Sequence, residues 1–267
     1  MMEWHVYALK YAERRGRTRA DSFIFDDNHD APHPIDYFIW VLKSADRTIV
    51  VDSGYDAVEG ARRGRPTERD PAEALAAMDI RADDVETLIV THLHYDHAGG
   101  LARFPNARIH LQAAEMAYAT GPCMCHDVLR MPFTADHVCE MVKRVYSGRV
   151  TFHEGDGEIA DGVTVHRVGG HSRGLQIVRV RTTAGWMVLA SDAAHYYENA
   201  FARKPFPIVV DVEDMLAGFD ILQRLSSRRE LIIPGHDPLV MQAFPKVDRV
   251  PFAVRLDRGP THADVIA

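Results

Sequence analysis

The sequence predicts an α/β fold in which two β-sheets stack as a sandwich with helices on the outside. Three observations predict it. Short apolar runs of strand length alternate with helical patterns; two rough halves repeat the same order of strands followed by a strand-end histidine; and no composition shift marks a boundary between them. The chain is therefore read as one domain spanning residues 1–267.

The elements follow in order. Val6–Leu9, Tyr37–Leu42 and Thr48–Val51 read as strands, and the third ends at the turn signal Asp52-Ser53-Gly54. Asp26–Asp36, with Pro32 and Pro34, reads as a long loop; its His29 and His33 are candidates for a lid, and more simply solvated residues. Asp70-Pro71 supplies a cap and a first-turn proline for a helix with Leu75 and Met78 inward. Glu86–Thr91 is a buried strand with His92 at its end, Ala107–Leu111 another strand, and Ala113–Ala119 a short helix. Gly121–Thr134 is irregular, and Asp136–Tyr146 is helical with Val138, Met141, Val142 and Val145 on one face. Val163–Val168, Gln176–Arg181 and Trp186–Ala190 are strands. Asp211–Leu225 is the clearest amphipathic helix, and Glu230–Ile233 is a last strand running into Pro234-Gly235-His236. From about Val250 the tail has no strong pattern, and Arg62-Arg63-Gly64-Arg65 reads as a solvated turn.

Composition narrows the function. The chain has 267 residues, 46% hydrophobic and 26% charged, which suits a soluble globular protein. Its charge of −7 speaks against nucleic acid or an anionic membrane as partner, since phosphate binding wants a basic face. With three cysteines there is no disulfide framework, and with no targeting or membrane-spanning segment the expected compartment is the cytoplasm. The anomaly is the 15 histidines, far more imidazole than a core needs.

Their placement points to metal. Thr91-His92-Leu93-His94-Tyr95-Asp96-His97 packs three imidazoles and a carboxylate into the mouth of a buried strand. Such ligands suit zinc and similar borderline ions. His171, Asp192 and His236 each follow a strand end and a turn. Five histidines and two aspartates are too many for one tetrahedral ion and suit two divalent ions sharing a carboxylate: zinc, with iron, manganese or cobalt as alternatives. Cys123-Met124-Cys125-His126 lacks the paired spacing of a structural zinc site.

The series HxHxDH, His171, Asp192, His236 resembles the metallo-β-lactamase superfamily and, within it, the N-acyl homoserine lactonases that quench quorum signals. The resemblance runs from about Tyr37 to Pro245 and includes the Asp52 turn, Gly170-His171-Ser172-Arg173-Gly174, Ser191-Asp192-Ala193 and Gly235-His236-Asp237. It implies an αββα sandwich of two mixed sheets. It also implies that His92, His94 and His171 hold one metal, that Asp96, His97 and His236 hold the other, that Asp192 bridges, and that Asp52 orients a ligand from behind. The bridging Asp192 separates the chain from the β-lactamases. The 31 residues after His236 are too few for the extra domain of glyoxalase II, and the acidic charge does not suit a tRNA processor.

The implied reaction is lactone opening by a metal-bridging hydroxide, with Asp96 passing the proton to the leaving oxygen. The substrate is first an N-acyl homoserine lactone. The alternatives are another small ring, opened by a catabolic lactonase or cyclic amidase such as the 4-pyridoxolactonases, and then a thioester. One departure matters: where those lactonases place a tyrosine three residues after the bridging aspartate, this chain has His195, followed by Tyr196 and Tyr197. An imidazole N–H can donate the same hydrogen bond to the carbonyl, so His195 joins Asp96 as a catalytic candidate. Phe23, Phe25, Phe133, Tyr196 and Tyr197 are candidate pocket residues, whereas Met116, Met131 and Met141 read as core. A long apolar trough would favour acyl chains; a short pocket with Arg or His donors would favour a carboxylated or heteroaromatic ring. A monomer or homodimer is expected.

Overall fold

The computed structural model describes residues 3–266. Thirteen strands form two sheets. They are β1 (His5–Arg14), β2 (Ile35–Lys43), β3 (Thr48–Val51), β4 (Thr87–Ile89), β5 (Arg108–Gln112), β6 (Val150–His153), β7 (Gly157–Ala160), β8 (Val163–Arg167), β9 (Gln176–Thr182), β10 (Gly185–Ser191), β11 (Ile232–Pro234), β12 (Lys246–Val247) and β13 (Val250–Arg255). The first sheet runs β12-β13-β1-β2-β3-β4-β5-β6 and the second β11-β10-β9-β8-β7. Both are mixed. β3 through β6 run parallel, as do β10 and β11, and the remaining pairs are antiparallel.

The sequence of β2 shows why the sheets stack. A strand covered on both faces reads as an unbroken apolar run, and β2 (IDYFIWVLK) is buried along all but its last residue. Its side chains alternate between two cores. Phe38, Trp40 and Leu42 meet Val165, Val178 and Leu189 of the other sheet. Tyr37, Ile39 and Val41 belong to a second cluster with Leu75 and Met141 of the covering helices. On the opposite outer face Ile177, Val188 and Ala190 share that cluster with Met215, Phe219 and Leu222. Each such side chain removed from water contributes about 1.5–3 kcal/mol.

Local signals set the helices. Asp70 caps Pro71–Ala76 by accepting from Ala72 N, and Glu73 completes the capping box. Asp211 accepts from Asp214 N and starts Val212–Leu225, which lies on β10. Among the described residues no helix is long and apolar enough to cross a membrane.

Two expectations are corrected. The tail after Val250 forms β13, which pairs with β1: Pro251 interrupts its apolar alternation, yet Tyr7–Leu9 find partners at Arg255–Ala253. Arg62-Arg63-Gly64-Arg65 is not a solvated turn. Arg62 and Arg63 end the helix Ala57–Arg63, both paired with the buried Glu59; Gly64 closes it at φ 64°, and Arg65 folds over the Tyr95 ring.

Candidate metal centre

Parallel pairing brings the candidate ligands to one edge. β3 and β4 run in the same direction, so Asp52 and His92 leave the sheet side by side; β10 and β11 do likewise with Asp192 and His236. After β4 the chain stays extended to His94, the N-cap of a helical turn (Tyr95–Ala98) that carries Asp96 and His97 inward. Glycines permit the close approaches. A Cβ on Gly235 would lie 2.7 Å from the Ser191 carbonyl oxygen and 2.8 Å from Asp192 Oδ1. Gly170, at φ +80°, lets the His171 loop rest against the Met215 backbone, 2.7 Å from where its Cβ would be.

The two oxygens of Asp192 face two groups of imidazoles. Oδ2 lies 3.1 Å from His171 Nε2 and 3.8 Å from His92 Nε2, and His171 Nε2 is 2.8 Å from His94 Nδ1. Oδ1 lies 3.0 Å from His236 Nε2 and 3.2 Å from His97 Nε2. Both of those nitrogens are within 3.8 Å of Asp96 Oδ2. Donor atoms of His92, His94, His171 and Asp192 thus converge on one point, and those of Asp96, His97 and His236 on another. All seven side chains are buried or nearly so.

Buried polar atoms are normally hydrogen-bonded. Here His92 Nε2, His97 Nε2 and Asp192 Oδ1 have no such partner, although all three point into the cluster. A donor set of imidazoles and carboxylates converging on common points fits divalent cations. Burial, together with neighbouring imidazoles, holds His92 and His94 well below the ordinary histidine range, so both are neutral. Burial also opposes charge on His97, but Asp192, Asp52 and Asp96 outweigh it and raise its pKa.

Partners behind the ligands fix their orientation. His97 Nδ1 is 2.7 Å from Asp52 Oδ2, and the same carboxylate accepts from Thr91 N at 2.7 Å and Thr91 Oγ1 at 2.8 Å. His171 Nδ1 donates to the Ile208 carbonyl at 2.7 Å and His236 Nδ1 to that of Asp36 at 2.8 Å, which leaves each Nε2 facing the cluster. Glu115, fully buried, accepts from Leu93 N, Ser172 Oγ and Gly174 N at 2.8–2.9 Å and ties the two ligand loops together.

His195 enters the same cluster. Its Nε2 lies 3.0 Å from Asp192 Oδ2, and its ring stacks on Phe206 at 3.4 Å between centroids. Burial takes this imidazole down to about 3, so it too is neutral. Asp192, His195 and His236 form a third convergent group.

The aromatic pocket candidates fare differently. Phe133 sets its edge against His94, at 4.7 Å between centroids. Phe23 is buried beneath His33 and Tyr196 and does not line the cavity over the metal cluster. Phe25 is 97% exposed and does not line the cavity over the metal cluster either. Tyr196 and Tyr197 point away, into a separate cavity with Asp237 and Leu239; the Tyr196 hydroxyl accepts from Arg17, and Tyr197 belongs to the core between the sheets. Two consecutive residues after His195 point away because the chain there enters the helix Tyr197–Phe201. His33 is half-buried against Tyr196, and His29 is exposed. Of the three methionines, Met141 is core and Met116 packs on it, but Met131 is 48% exposed and lines the metal cavity.

That cavity holds about 300 Å3 and brings in residues the sequence did not single out: Arg14, Arg17, Tyr37, Arg65 and Phe206. The available signal was a cluster of four arginines within residues 14–19 of a net-acidic chain.

A metallo-beta-lactamase superfamily profile matches residues 35–253. A probable metallo-hydrolase of Mycobacterium tuberculosis is 25% identical over 241 residues, covering 76% of this chain and 75% of that protein. An N-acyl homoserine lactonase of a Bacillus species is 28% identical over 227 residues, covering 77% and 80%. The 1.4 Å structure of an N-acyl homoserine lactone hydrolase with N-hexanoyl-L-homoserine at its metal centre superposes with TM-score 0.74 at 21% identity, over 91% of this chain and 96% of that one. A probable metal-dependent hydrolase from Staphylococcus aureus gives 0.75 at 16% identity, over 95% and 92%. The profile match across most of the chain and the shared two-sheet architecture place this protein in the metallo-beta-lactamase superfamily, as a hydrolase.

Proposed function

We propose that the protein is a lactonase that hydrolyses a cyclic ester at a two-metal centre. The observation that carries this reading is Asp192, whose two oxygens face separate groups of imidazoles in the manner of a bridging carboxylate. His92, His94 and His171 would hold one divalent ion, Asp96, His97 and His236 the other, and zinc suits the set best. Two such ions, when bound, supply a hydroxide nucleophile at neutral pH and polarise the carbonyl.

The chain's own residues do the rest. Asp52, through His97, holds a ligand in register. Asp96, 8% exposed at the cavity wall, would take the proton of the attacking hydroxide and return it to the ring oxygen as the C–O bond breaks. His195 is placed for either of two tasks. Its Nε2 donates to the carbonyl oxygen, or it joins Asp192 as a further ligand. Phe206, stacked on the ring, fixes its plane in both cases.

The relatives named N-acyl homoserine lactonases make an acyl homoserine lactone the first compound to assay. A second reading, a different small ring, is favoured by the cavity, which holds only about 300 Å3 and sets three arginines among apolar residues such as Ile35, Met131 and Phe206. A pH-stat panel of homoserine lactones, other lactones, cyclic amides and thioesters, run on the metal-loaded protein, separates these. Lactones are expected to react fastest, and exclusive turnover of thioesters or amides would overturn the reading.

A further inference from the structure

Three guanidinium groups, Arg14, Arg17 and Arg65, line the cavity that holds the candidate metal centre. Arg17 is 6% exposed; its Nη1 donates to the Tyr196 hydroxyl at 2.9 Å and its Nη2 to the Asp21 carbonyl at 2.5 Å. Arg65 is half-buried and donates to the Tyr95 hydroxyl. Arg14 is half-buried at the end of β1, beside Ile35 of the same cavity wall. These partners are neutral. Among the described residues, none of the three arginines has a carboxylate within ion-pair distance.

The contrast with arginines elsewhere is informative. Arg19, similarly sequestered, has both Asp26 and Glu198 at 2.6 Å; Arg63 has Glu59, and Arg144 has Glu140. The acids in the cavity are otherwise engaged. Asp96 and Asp192 face the imidazoles, and the Asp21 carboxylate accepts from Thr18 N at 2.9 Å. A sequestered charge with no carboxylate in contact is costly, most of all for the buried Arg17; Asp96 acts on Arg65 only from beyond ion-pair distance. Three guanidinium groups without a contacting carboxylate in one small cavity are what an anionic ligand would relieve.

Arg17 and Arg65 also sit one aromatic layer from the candidate metal centre. The Arg17 guanidinium lies 5.5 Å from the centroid of Phe206, the ring that stacks on His195. Arg65 holds Tyr95, whose hydroxyl is 3.4 Å from that of Tyr37, and the Tyr37 ring meets the edge of His236.

We propose that the substrate carries an oxyanion, a carboxylate or a phosphate, on a part of the molecule remote from the cleaved bond, and that Arg14, Arg17 and Arg65 receive it. This inference rests on the lactonase reading. Water adds across the ring C–O bond to give an acid and an alcohol, and the remote oxyanion passes through unchanged. Arginine suits the task because its planar fork binds two oxygens of a carboxylate or phosphate at once. A neutral acyl homoserine lactone leaves the three charges unmatched, so the preferred substrate is an anionic ring.

The test is a set of γ-lactones on one ring bearing a carboxylate, a phosphate monoester or the methyl ester of the carboxylate, with N-hexanoyl homoserine lactone alongside. A charge-assisted hydrogen bond is worth about 1.5–3 kcal/mol, so kcat/KM for an anionic member is expected to exceed that of the methyl ester by about 10- to 100-fold, through KM. Whether the carboxylate or the phosphate gains more tells the two sources apart. Arg14→Gln should reduce the preference at least threefold, and Arg14→Lys should keep part of it. Calorimetry supplies a readout free of turnover. The ring-opened hydroxy-dicarboxylate should bind wild type about tenfold tighter than the corresponding hydroxy-monocarboxylate, with the difference reduced in Arg14→Gln. Equal turnover of the ester and the anions, together with equal binding of the two acids, overturns the proposal. If no lactone of any charge is opened while the binding difference persists, the lactonase reading fails and the anion site stands.

Discussion

Asp52 Oδ2 lies 2.7 Å from His97 Nδ1, and neither side chain is reached by solvent. Asp52 itself sits at φ 61°, a conformation unfavourable for a non-glycine residue, held by two bonds from Thr91. We propose that an aspartate kept there at a backbone cost aims His97. Replacing it by alanine frees the His97 ring and leaves Thr91 N without its acceptor. Loss of a group behind a ligand typically costs about 10- to 100-fold in metal affinity. We expect D52A to lose metal to a competing chelator at correspondingly lower chelator concentration; retention equal to wild type would show that His97 is aimed by other means.

His195→Ala separates the two tasks open to that residue. If its Nε2 donates to the carbonyl, kcat falls by about 10²-fold with the metal content unchanged. If it is a ligand, metal content falls as well. Metal analysis beside kcat on one preparation decides between them, and a variant unchanged in both would remove His195 from the site.

Glu115→Ala tests the tie between the two ligand loops. Three buried donors, Leu93 N, Ser172 Oγ and Gly174 N, lose their acceptor together. With about 1–3 kcal/mol for a buried group left unsatisfied, we expect a loss of about 3 kcal/mol or more in urea unfolding. A loss below about 1 kcal/mol would mean that water replaces the carboxylate.

Acid should weaken the fold through histidines away from the metal. Burial, helped by Arg19, takes His33 down to about 4, and burial with His153 beside it does the same to His110. The unfolded chain takes up these protons near pH 6.5, whereas the folded chain does so only near 4. The unfolded state therefore binds more protons in that window, and stability, complete above it, declines as pH falls from 6.5 to 4. Urea midpoints across this range should fall less steeply for H110Q than for wild type. Parallel curves would contradict the assignment.

The metal cluster was legible because its ligands follow a local rule. Imidazoles and carboxylates stand directly after strand ends, where parallel pairing carries them to one edge. Asp52 was legible only through family resemblance, since nothing local says that it faces His97 from another strand. The arginines were not legible as a group. Arg14, Arg17 and Arg65 come from a strand end, a loop and the segment after a helix, and only the fold makes them neighbours. Tyr196 and Tyr197 mislead for the opposite reason: they adjoin His195 in sequence, but the chain turns into a helix that carries both away from the candidate metal cluster. β13 was not legible because Pro251 and the partly exposed Phe252 blur its alternation.

The central claim is a carboxylate bridging two metals that together open a lactone. Metal stoichiometry and lactone hydrolysis, measured on wild type and Asp192→Asn, test it most directly. The account predicts two ions per chain and ring opening for wild type, with at most one ion and no measurable hydrolysis for D192N. Two retained ions with full activity in D192N would contradict it.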